Sequence, residues 1–273
     1  MGLGRIAVAL ASAAATGAVE GATQRLSEEQ REPFERINHR GEPVTLLEGP
    51  IAVLGALSGV AGDHATPVRV RAAALLAGSV SGAVGAFDDL HGTTQAKGFK
   101  GHLSALSRGE VTSGAIKILG VGVSALGAAA LLPRKSSGFA RAADVVLDTA
   151  LIAGTANLTN LLDLRPGRAL KAVAALNAPA VLAKGPAAAV VGAAAAVAPA
   201  DLEERSMLGD CGANGLGAMT GTALASALPR PFRLLATAGV VALNLASEKV
   251  SFTKVIANNP ALDAVDQWGR RPR

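Results

Sequence analysis

Two adjacent carboxylates, Asp88 and Asp89, end an apolar run of the sequence. If that run is a helix, both side chains lie at the negative end of the helix dipole, which costs free energy unless a cation compensates. Mg²⁺ would do so, because it binds one or two carboxylates and leaves its other positions to water and phosphate. The alternative is a pair of solvated aspartates that only end the helix. The pair favours metal and phosphate chemistry without requiring it.

A second polar group, Asn157, Asn160 and Asp163, ends another apolar run at intervals of three residues. That spacing places the three side chains near one helical face. Two carboxamides and a carboxylate on that face could hold a sugar, a uracil or the water shell of a metal. Capping of the helix C-terminus by asparagine is the alternative. We predict that the three residues bind substrate.

Asp210 lies in the glycine-rich stretch 207–217, ahead of a further apolar run. It could cap the N-terminus of a helix, and the glycines could let a phosphate approach the positive helix end. A Rossmann motif is disfavoured because no strand precedes these glycines. Capping alone remains the alternative.

Three basic residues, Lys97, Lys100 and His102, follow the aspartate pair. Lysines beside two aspartates could clamp a lipid phosphate or a pyrophosphate, so the three are predicted to bind substrate. The alternative is that they are ordinary basic residues of a cytoplasmic loop.

Asp144 and Asp148 lie four residues apart within an apolar run. Ionisable groups inside a membrane segment are candidates for function by default. Arg141, about one turn before Asp144, is the expected partner of Asp144 in a structural ion pair. A small-solute transporter built on the two aspartates is less favoured, because no inverted repeat is visible.

Apolar helices must position these groups, since 50% of the residues are hydrophobic and only 17% are charged. An ordinary soluble domain has about 25% charged residues. We therefore predict an all-α fold, a polytopic transmembrane bundle of nine or ten helices, although several stretches are shorter than the ~20 residues that a span needs. Alanine-rich soluble helices are the alternative, as is a signal peptide for the first stretch. The apolar stretches are residues 4–19, 50–62, 70–87, 114–132, 139–158, 169–183, 186–199, 212–228 and 231–247.

Alternate threading of these helices brings the polar connections that carry the candidate residues to one side. That side also has the larger share of Lys and Arg, which predicts that it faces the cytoplasm. The sequence thus indicates a multi-pass protein of the cell membrane, with a transmembrane domain over residues 1–247 and a cytoplasmic tail over 248–273. A formal charge of +5 does not require nucleic-acid binding, because no Lys/Arg cluster has interleaved aromatic residues. The connections predicted to form the active site are 20–49, 88–113, 157–168 and 200–211.

Four segments occur in an order that resembles one enzyme family. They are residues 36–49, Asp88-Asp89 with Lys97-Gly98-Phe99, Asn157-x-x-Asn160-x-x-Asp163, and Leu208-Gly209-Asp210-Cys211-Gly212-Ala213. The family is the polyprenyl-phosphate sugar-1-phosphate transferases, the superfamily of phospho-N-acetylmuramoyl-pentapeptide transferase. The segments are similar to its first cytoplasmic loop, its Asp-Asp motif, its Asn-x-x-Asn-x-x-Asp-Gly motif and its Gly-Asp-x-Gly-Ser magnesium loop.

The resemblance implies Mg²⁺-dependent transfer of a sugar-1-phosphate from a nucleotide-sugar to a membrane polyprenyl phosphate, in cell-envelope glycan (peptidoglycan or cell-wall) biosynthesis. Asp210 would ligate Mg²⁺, Asp88 would interact with or deprotonate the acceptor phosphate, and Asp89 would support both. The resemblance thus predicts Asp88, Asp89 and Asp210 as catalytic residues, with Asp210 and Asp88 as the metal ligands. Asn160 and Asp163 would shape the nucleotide or metal side of the pocket. A homodimer is possible.

The sequence departs from the family at two places. Asp163 is followed by Leu164-Arg165-Pro166-Gly167-Arg168, where relatives have a second aspartate, and no histidine-rich loop follows Glu248. These regions recognise the nucleotide-sugar in relatives, so an altered donor is expected, with Arg165 and Arg168 as candidates to bind its diphosphate. The alternative is a non-catalytic descendant that binds polyprenyl phosphate or a partner in envelope assembly.

Overall fold

The computed structural model describes residues 2–92 and 112–272, which form an almost entirely helical protein with one small β-hairpin. The all-α prediction is confirmed. A short 3₁₀ turn at Glu32–Phe34 leads into the hairpin, whose strands are β1 (Glu35–Ile37) and β2 (Pro43–Thr45). The helices are α1 (Leu3–Thr23), α2 (Glu28–Arg31), α3 (Glu48–Gly62), α4 (Val68–His91), α5 (Ser113–Leu131), α6 (Gly138–Leu162), α7 (Arg168–Asn177), α8 (Ala187–Leu202), α9 (Gly209–Ala227), α10 (Arg230–Ser247), α11 (Phe252–Ala257) and α12 (Pro260–Gln267).

Helix α9 is the central element, buried along nearly its whole length, and it packs against α3, α4 and α6. Small residues allow this close packing. A Cβ atom at Gly217 would lie 2.7 Å from Cα of Ala156, and one at Gly221 would lie 2.6 Å from Cα of Ile152. Backbones approach in this way only where side chains are absent.

The contact between α4 and α9 places the aspartate pair. A Cβ at Gly78 would lie 2.7 Å from the Met219 side chain, and a Cβ at Gly85 would lie 2.2 Å from the backbone oxygen of Asp210. Gly85 precedes Asp88 by less than one turn, so the end of α4 is held directly against the start of α9. The glycines of α4 thus bring two distant parts of the chain together.

Four helices in the described ranges are long and apolar enough to cross a membrane: Leu3–Thr23, Val68–His91, Ser113–Leu131 and Gly138–Leu162. This is fewer than the nine or ten spans that the sequence predicts. The stretch 169–183 is helical only to Asn177, because turns that contain Pro179 and Gly185 follow. The helices Glu48–Gly62 and Ala187–Leu202 are apolar but shorter.

Buried ion pairs join the helices away from the aspartate pair. Arg5 of α1 donates to both oxygens of Asp63, each at 2.7 Å. The expected pairing of Arg141 with Asp144 is wrong. Asp144 accepts from Arg233 of α10 at 3.1 Å, whereas Arg141 donates to backbone carbonyl groups of α5.

Asp148 completes this second ion-pair group. It accepts from Arg134 at 2.6 Å and also pairs with Arg233. Asp144 and Asp148 are therefore structural partners of arginines that lie in the connection between α5 and α6 and in α10.

The C-terminal residues pack onto the helical body. Arg168 of α7 donates to both oxygens of Asp266 in α12, at 2.7 and 3.0 Å, and both side chains are buried. Arg271 pairs with Glu42 beside the hairpin at 2.9 Å. Residues 252–272 therefore lie against the hairpin and the start of α7.

Candidate active site

Asp88 at the end of α4 and Asp210 at the start of α9 meet at one amino group. Nζ of Lys117 lies 2.6 Å from Oδ2 of Asp88 and 2.6 Å from Oδ2 of Asp210. The three side chains are 14, 24 and 18% exposed for Asp88, Asp210 and Lys117, so they are largely but not fully shielded from solvent. The structure therefore brings together two of the three predicted catalytic aspartates around a cation supplied by the chain.

Asp89 completes the predicted trio by capping α9. Its carboxylate accepts hydrogen bonds from the backbone amides of Asp210 and Cys211, both at 2.9 Å. These amides belong to the positive end of the helix dipole, which stabilises a carboxylate. Gly209 has a φ of +60°, and a Cβ there would lie 3.0 Å from Oδ2 of Asp89. The glycine is needed both for its conformation and for its size.

Sequence analysis did not select Lys117, although a signal was present. Lys117 is the only charged residue in the apolar run 114–132. Ionisable residues in such runs face the protein interior and find partners there. That rule was applied to Asp144 and Asp148, but it identifies Lys117 equally well.

Burial and charge set the protonation of the acids at this end of the molecule. Burial raises the pKa of Asp210 to about 6, with Lys117 opposing the shift. The pKa of Asp163 is raised well above its ordinary value, first by burial and then by the neighbouring charge of Asp201. Burial raises the pKa of Asp201 to about 7. Asp163 also responds to Asp89 and Asp210, so these acids share one electrostatic neighbourhood.

Glu48, at the start of α3, is a further buried acid that sequence analysis did not select. The hydroxyl of Ser206 donates to it, and its pKa is raised well above the ordinary value by burial and then by Asp201. Asp201 itself accepts from the backbone amide of Gly167 at 3.1 Å. Both acids lie in segments whose composition resembles ordinary helix ends, so no local pattern marks them.

The donor chemistry of Asp88 and Asp210 suits a hard cation. Two carboxylate oxygens lie equidistant from one point, and that point holds the ammonium group. Within the described ranges, no group of three or more His, Cys, Asp or Glu side chains is arranged around a metal position. From the described residues, Mg²⁺ would therefore have Asp88 and Asp210 as ligands, with Lys117 turned away. Two carboxylates are a number that Mg²⁺ accepts when water and phosphate supply the rest.

The asparagine motif divides between two environments. Asp163 is buried near the aspartates that are predicted to be catalytic, and its backbone amide donates to the carbonyl of Asn160 at 3.1 Å, which ends α6. Asn160 is half-buried. Asn157 is exposed, and its amide donates to the side chain of Asn244 in α10 rather than joining the carboxylates. Only Asp163 of this motif reaches the acidic neighbourhood.

The two predicted arginines also separate. Arg165 lines a cavity of ≈180 Å³ together with Asp163 and Asp201. Arg168 is held by Asp266, as described above. Lys97, Lys100 and His102 lie outside the described residues, so their predicted contacts with substrate stay predictions.

The first predicted cytoplasmic loop lies at the same end. Strand β2 joins the segment before α9, because the Met207 amide donates to the Thr45 carbonyl at 3.0 Å. Arg36 of β1 donates to the backbone oxygen of Asp89. Segments 20–49 and 200–211 thus meet at the end of α4.

No family model matches the chain, and no curated protein sequence matches it significantly.

Proposed function

We propose that the protein transfers a sugar-1-phosphate from a nucleotide-sugar to a membrane polyprenyl phosphate, with Mg²⁺, at the site formed by Asp88, Asp210 and Lys117. The single observation that supports this most is the meeting of both carboxylates at one cation at the end of an apolar helix. A site at the end of an apolar helix can receive a lipid phosphate from the bilayer and a soluble donor from the water. The cell membrane, with this end in the cytoplasm, is the location that the proposal implies.

In the proposed reaction, an oxygen of the polyprenyl phosphate forms a bond to the sugar-bearing phosphorus of the donor. The bond from that phosphorus to the bridging oxygen breaks, and the nucleoside monophosphate leaves. Mg²⁺ bound by Asp88 and Asp210 would neutralise charge on the diphosphate. Asp88 would accept a proton from an acceptor phosphate that arrives protonated.

Lys117 has a defined part in this scheme. Its ammonium group would leave the two carboxylates and donate to phosphate oxygens, which replaces one anionic partner with another. Asp89 would act by position, since it holds the start of α9 and hence Asp210. Asp163, Asn160 and Arg165 would lie towards the donor. The departures from the family after Asp163 make a donor other than the usual UDP-N-acetylsugars part of the proposal.

The test is release of UMP or another nucleoside monophosphate by the purified protein, with Mg²⁺, a polyprenyl phosphate and a panel of nucleotide-sugars. The proposal expects release with at least one donor, loss of release on chelation, and loss in Asp88→Asn and Asp210→Asn. Glu29→Gln, at an exposed position of α2, is the matched control and should keep the rate.

A second candidate is a non-catalytic protein that binds polyprenyl phosphate. The observation that favours it is Lys117, which compensates the two aspartates without a metal. Saturable binding of polyprenyl phosphate, with no release from any donor in the panel, would favour this second function over the first.

A further inference from the structure

A second cleft, of ≈390 Å³, lies where the C-terminal helices meet the rest of the protein. Its walls come from three separate parts of the chain: the residues after β1, the connection between α6 and α7, and the C-terminal helices α11 and α12. The lining residues are His39, Arg40, Arg165, Arg168, Thr253, Ile256, Ala257, Asp263, Asp266, Gln267 and Arg270.

The charge of this lining is positive. Four guanidinium groups face the cleft and only two carboxylates do. Asp266 is shared, because it accepts from Arg168 at 2.7 Å and from Arg270 at 2.9 Å. Arg40 has its own partner in Glu204, at 3.0 Å. The carboxylates therefore do not neutralise the arginines.

Two of these arginines retain unused donors. The Arg270 side chain is only 6% exposed, and its Nε is buried with no hydrogen-bond acceptor. Arg165 donates to the carbonyl of Leu164, and among the described residues no carboxylate lies within ion-pair distance of it. Arg165 therefore has guanidinium donors that no carboxylate of the described residues occupies, and an anion in the cleft would accept from them.

One titratable group lies among these arginines. The pKa of His39 is lowered, first by burial and then by Arg165, while Glu204 acts in the opposite direction. The pKa of Arg270 is lowered by burial, against the effect of the Asp266 and Glu204 carboxylates. The charge of Arg165 is therefore felt at His39 across the cleft.

We propose that this cleft binds a phosphate-bearing anion, with Arg165 and Arg270 as its principal donors. Arginine forks match phosphate oxygens in pairs, and several arginines around one cleft favour a phosphate or diphosphate over a single carboxylate. Phosphate in this position could come from a soluble compound or from a lipid headgroup. The proposal stands whether or not the transfer reaction occurs at Asp88 and Asp210.

The cleft shares two lining residues, His39 and Arg165, with the ≈180 Å³ cavity that also contains Asp163 and Asp201. A bound anion would therefore lie next to these acids rather than among them.

The experiment is a titration of the full chain, purified in a neutral detergent, with inorganic pyrophosphate. Binding is measured by calorimetry, because Trp268, the sole tryptophan, is 76% exposed and lies outside the cleft lining. We expect a saturable change in the wild type and about tenfold weaker binding in Arg165→Gln, since one charge-assisted contact is worth about that factor. Arg165 is chosen because its removal leaves no carboxylate unpaired.

The control is Arg25→Gln, which removes an exposed arginine outside the cleft and should bind as the wild type does. A thermal melt of each variant verifies folding. Flotation with phosphatidylcholine vesicles, with and without phosphatidic acid, identifies the source of the phosphate. Vesicle binding that depends on Arg165 only when phosphatidic acid is present indicates a lipid headgroup. Pyrophosphate binding that depends on Arg165 indicates a soluble ligand. Absence of saturable binding to both probes, or equal binding by Arg165→Gln and the wild type, would overturn the proposal.

Discussion

Replacement of Gly85 by alanine should separate α4 from α9 at the candidate active site. The new methyl group would lie 2.2 Å from the backbone oxygen of Asp210 and 2.8 Å from the backbone nitrogen of Cys211. Neither atom belongs to a flexible side chain, and non-bonded carbon atoms prefer contacts of about 3.5 Å or more. The two helices must therefore move apart locally by about 1 Å.

Two effects of different size follow from this shift. Overpacking in a close helix contact costs about 1–3 kcal/mol of stability. At the active site, Lys117 must reach Asp88 and Asp210 at once, so a separation of this size breaks one of its two 2.6 Å contacts. A misplacement of about 1 Å can cost on the order of 100-fold in rate. We expect a modest loss of stability and a much larger loss of transfer.

The assay pairs a thermal melt in detergent with the release of nucleoside monophosphate. The matched control is Gly122→Ala in α5, where an added Cβ meets nothing within 4 Å. This control should keep its rate and its melting temperature, or raise the latter slightly, because alanine favours helix over glycine. If Gly85→Ala melts and turns over as the wild type does, α4 and α9 do not meet as described and the reasoning is refuted.

Three further predictions concern Lys117, Asp201 and Asp266. Lys117→Met leaves two carboxylates without their shared cation, and we expect a destabilisation of about 3 kcal/mol. Millimolar Mg²⁺ should recover part of the lost stability in a thermal melt, and a melting temperature that does not respond to Mg²⁺ contradicts this. The pKa of Asp201 is raised to about 7 in the folded protein. Asp201 therefore keeps its proton to higher pH in the folded state than in the unfolded state, and stability falls as pH rises from about 4 to about 7. Asp201→Asn should show a smaller fall in stability over that range, and an unchanged pH profile refutes the assignment. Asp266→Asn weakens the buried pair with Arg168 and should speed hydrogen exchange across residues 252–267, whereas wild-type protection there would show that the pair does not hold these helices.

The sequence predicts the helical class and the residues that end the helices, because both depend on local composition. Asp88, Asp89 and Asp210 were selected from their positions at helix ends, and the structure brings them together. What the sequence does not show is which faces of the helices meet. That depends on contacts such as the one between Gly85 and the backbone of Asp210, which no periodic pattern reveals.

The errors have the same origin. Arg141 lies near Asp144 along the chain, but the partner of Asp144 is Arg233 on a neighbouring helix. In the sequence, Lys117 is an isolated charge in an apolar run. In the fold, α4 and α9 place two aspartates beside it. In the described ranges, fewer helices than predicted are long and apolar enough to span a membrane, because several apolar stretches are short or interrupted, as the turn after Asn177 shows.

The central claim is that Asp88 and Asp210 form one catalytic unit on two helices, and a double-mutant cycle on the rate of nucleoside monophosphate release tests it most directly. Residues that act together lose activity non-additively. The account predicts that Asp88→Asn, Asp210→Asn and the double variant all lose activity to a similar extent. Losses that multiply in the double variant, or single variants that retain the wild-type rate, would contradict it.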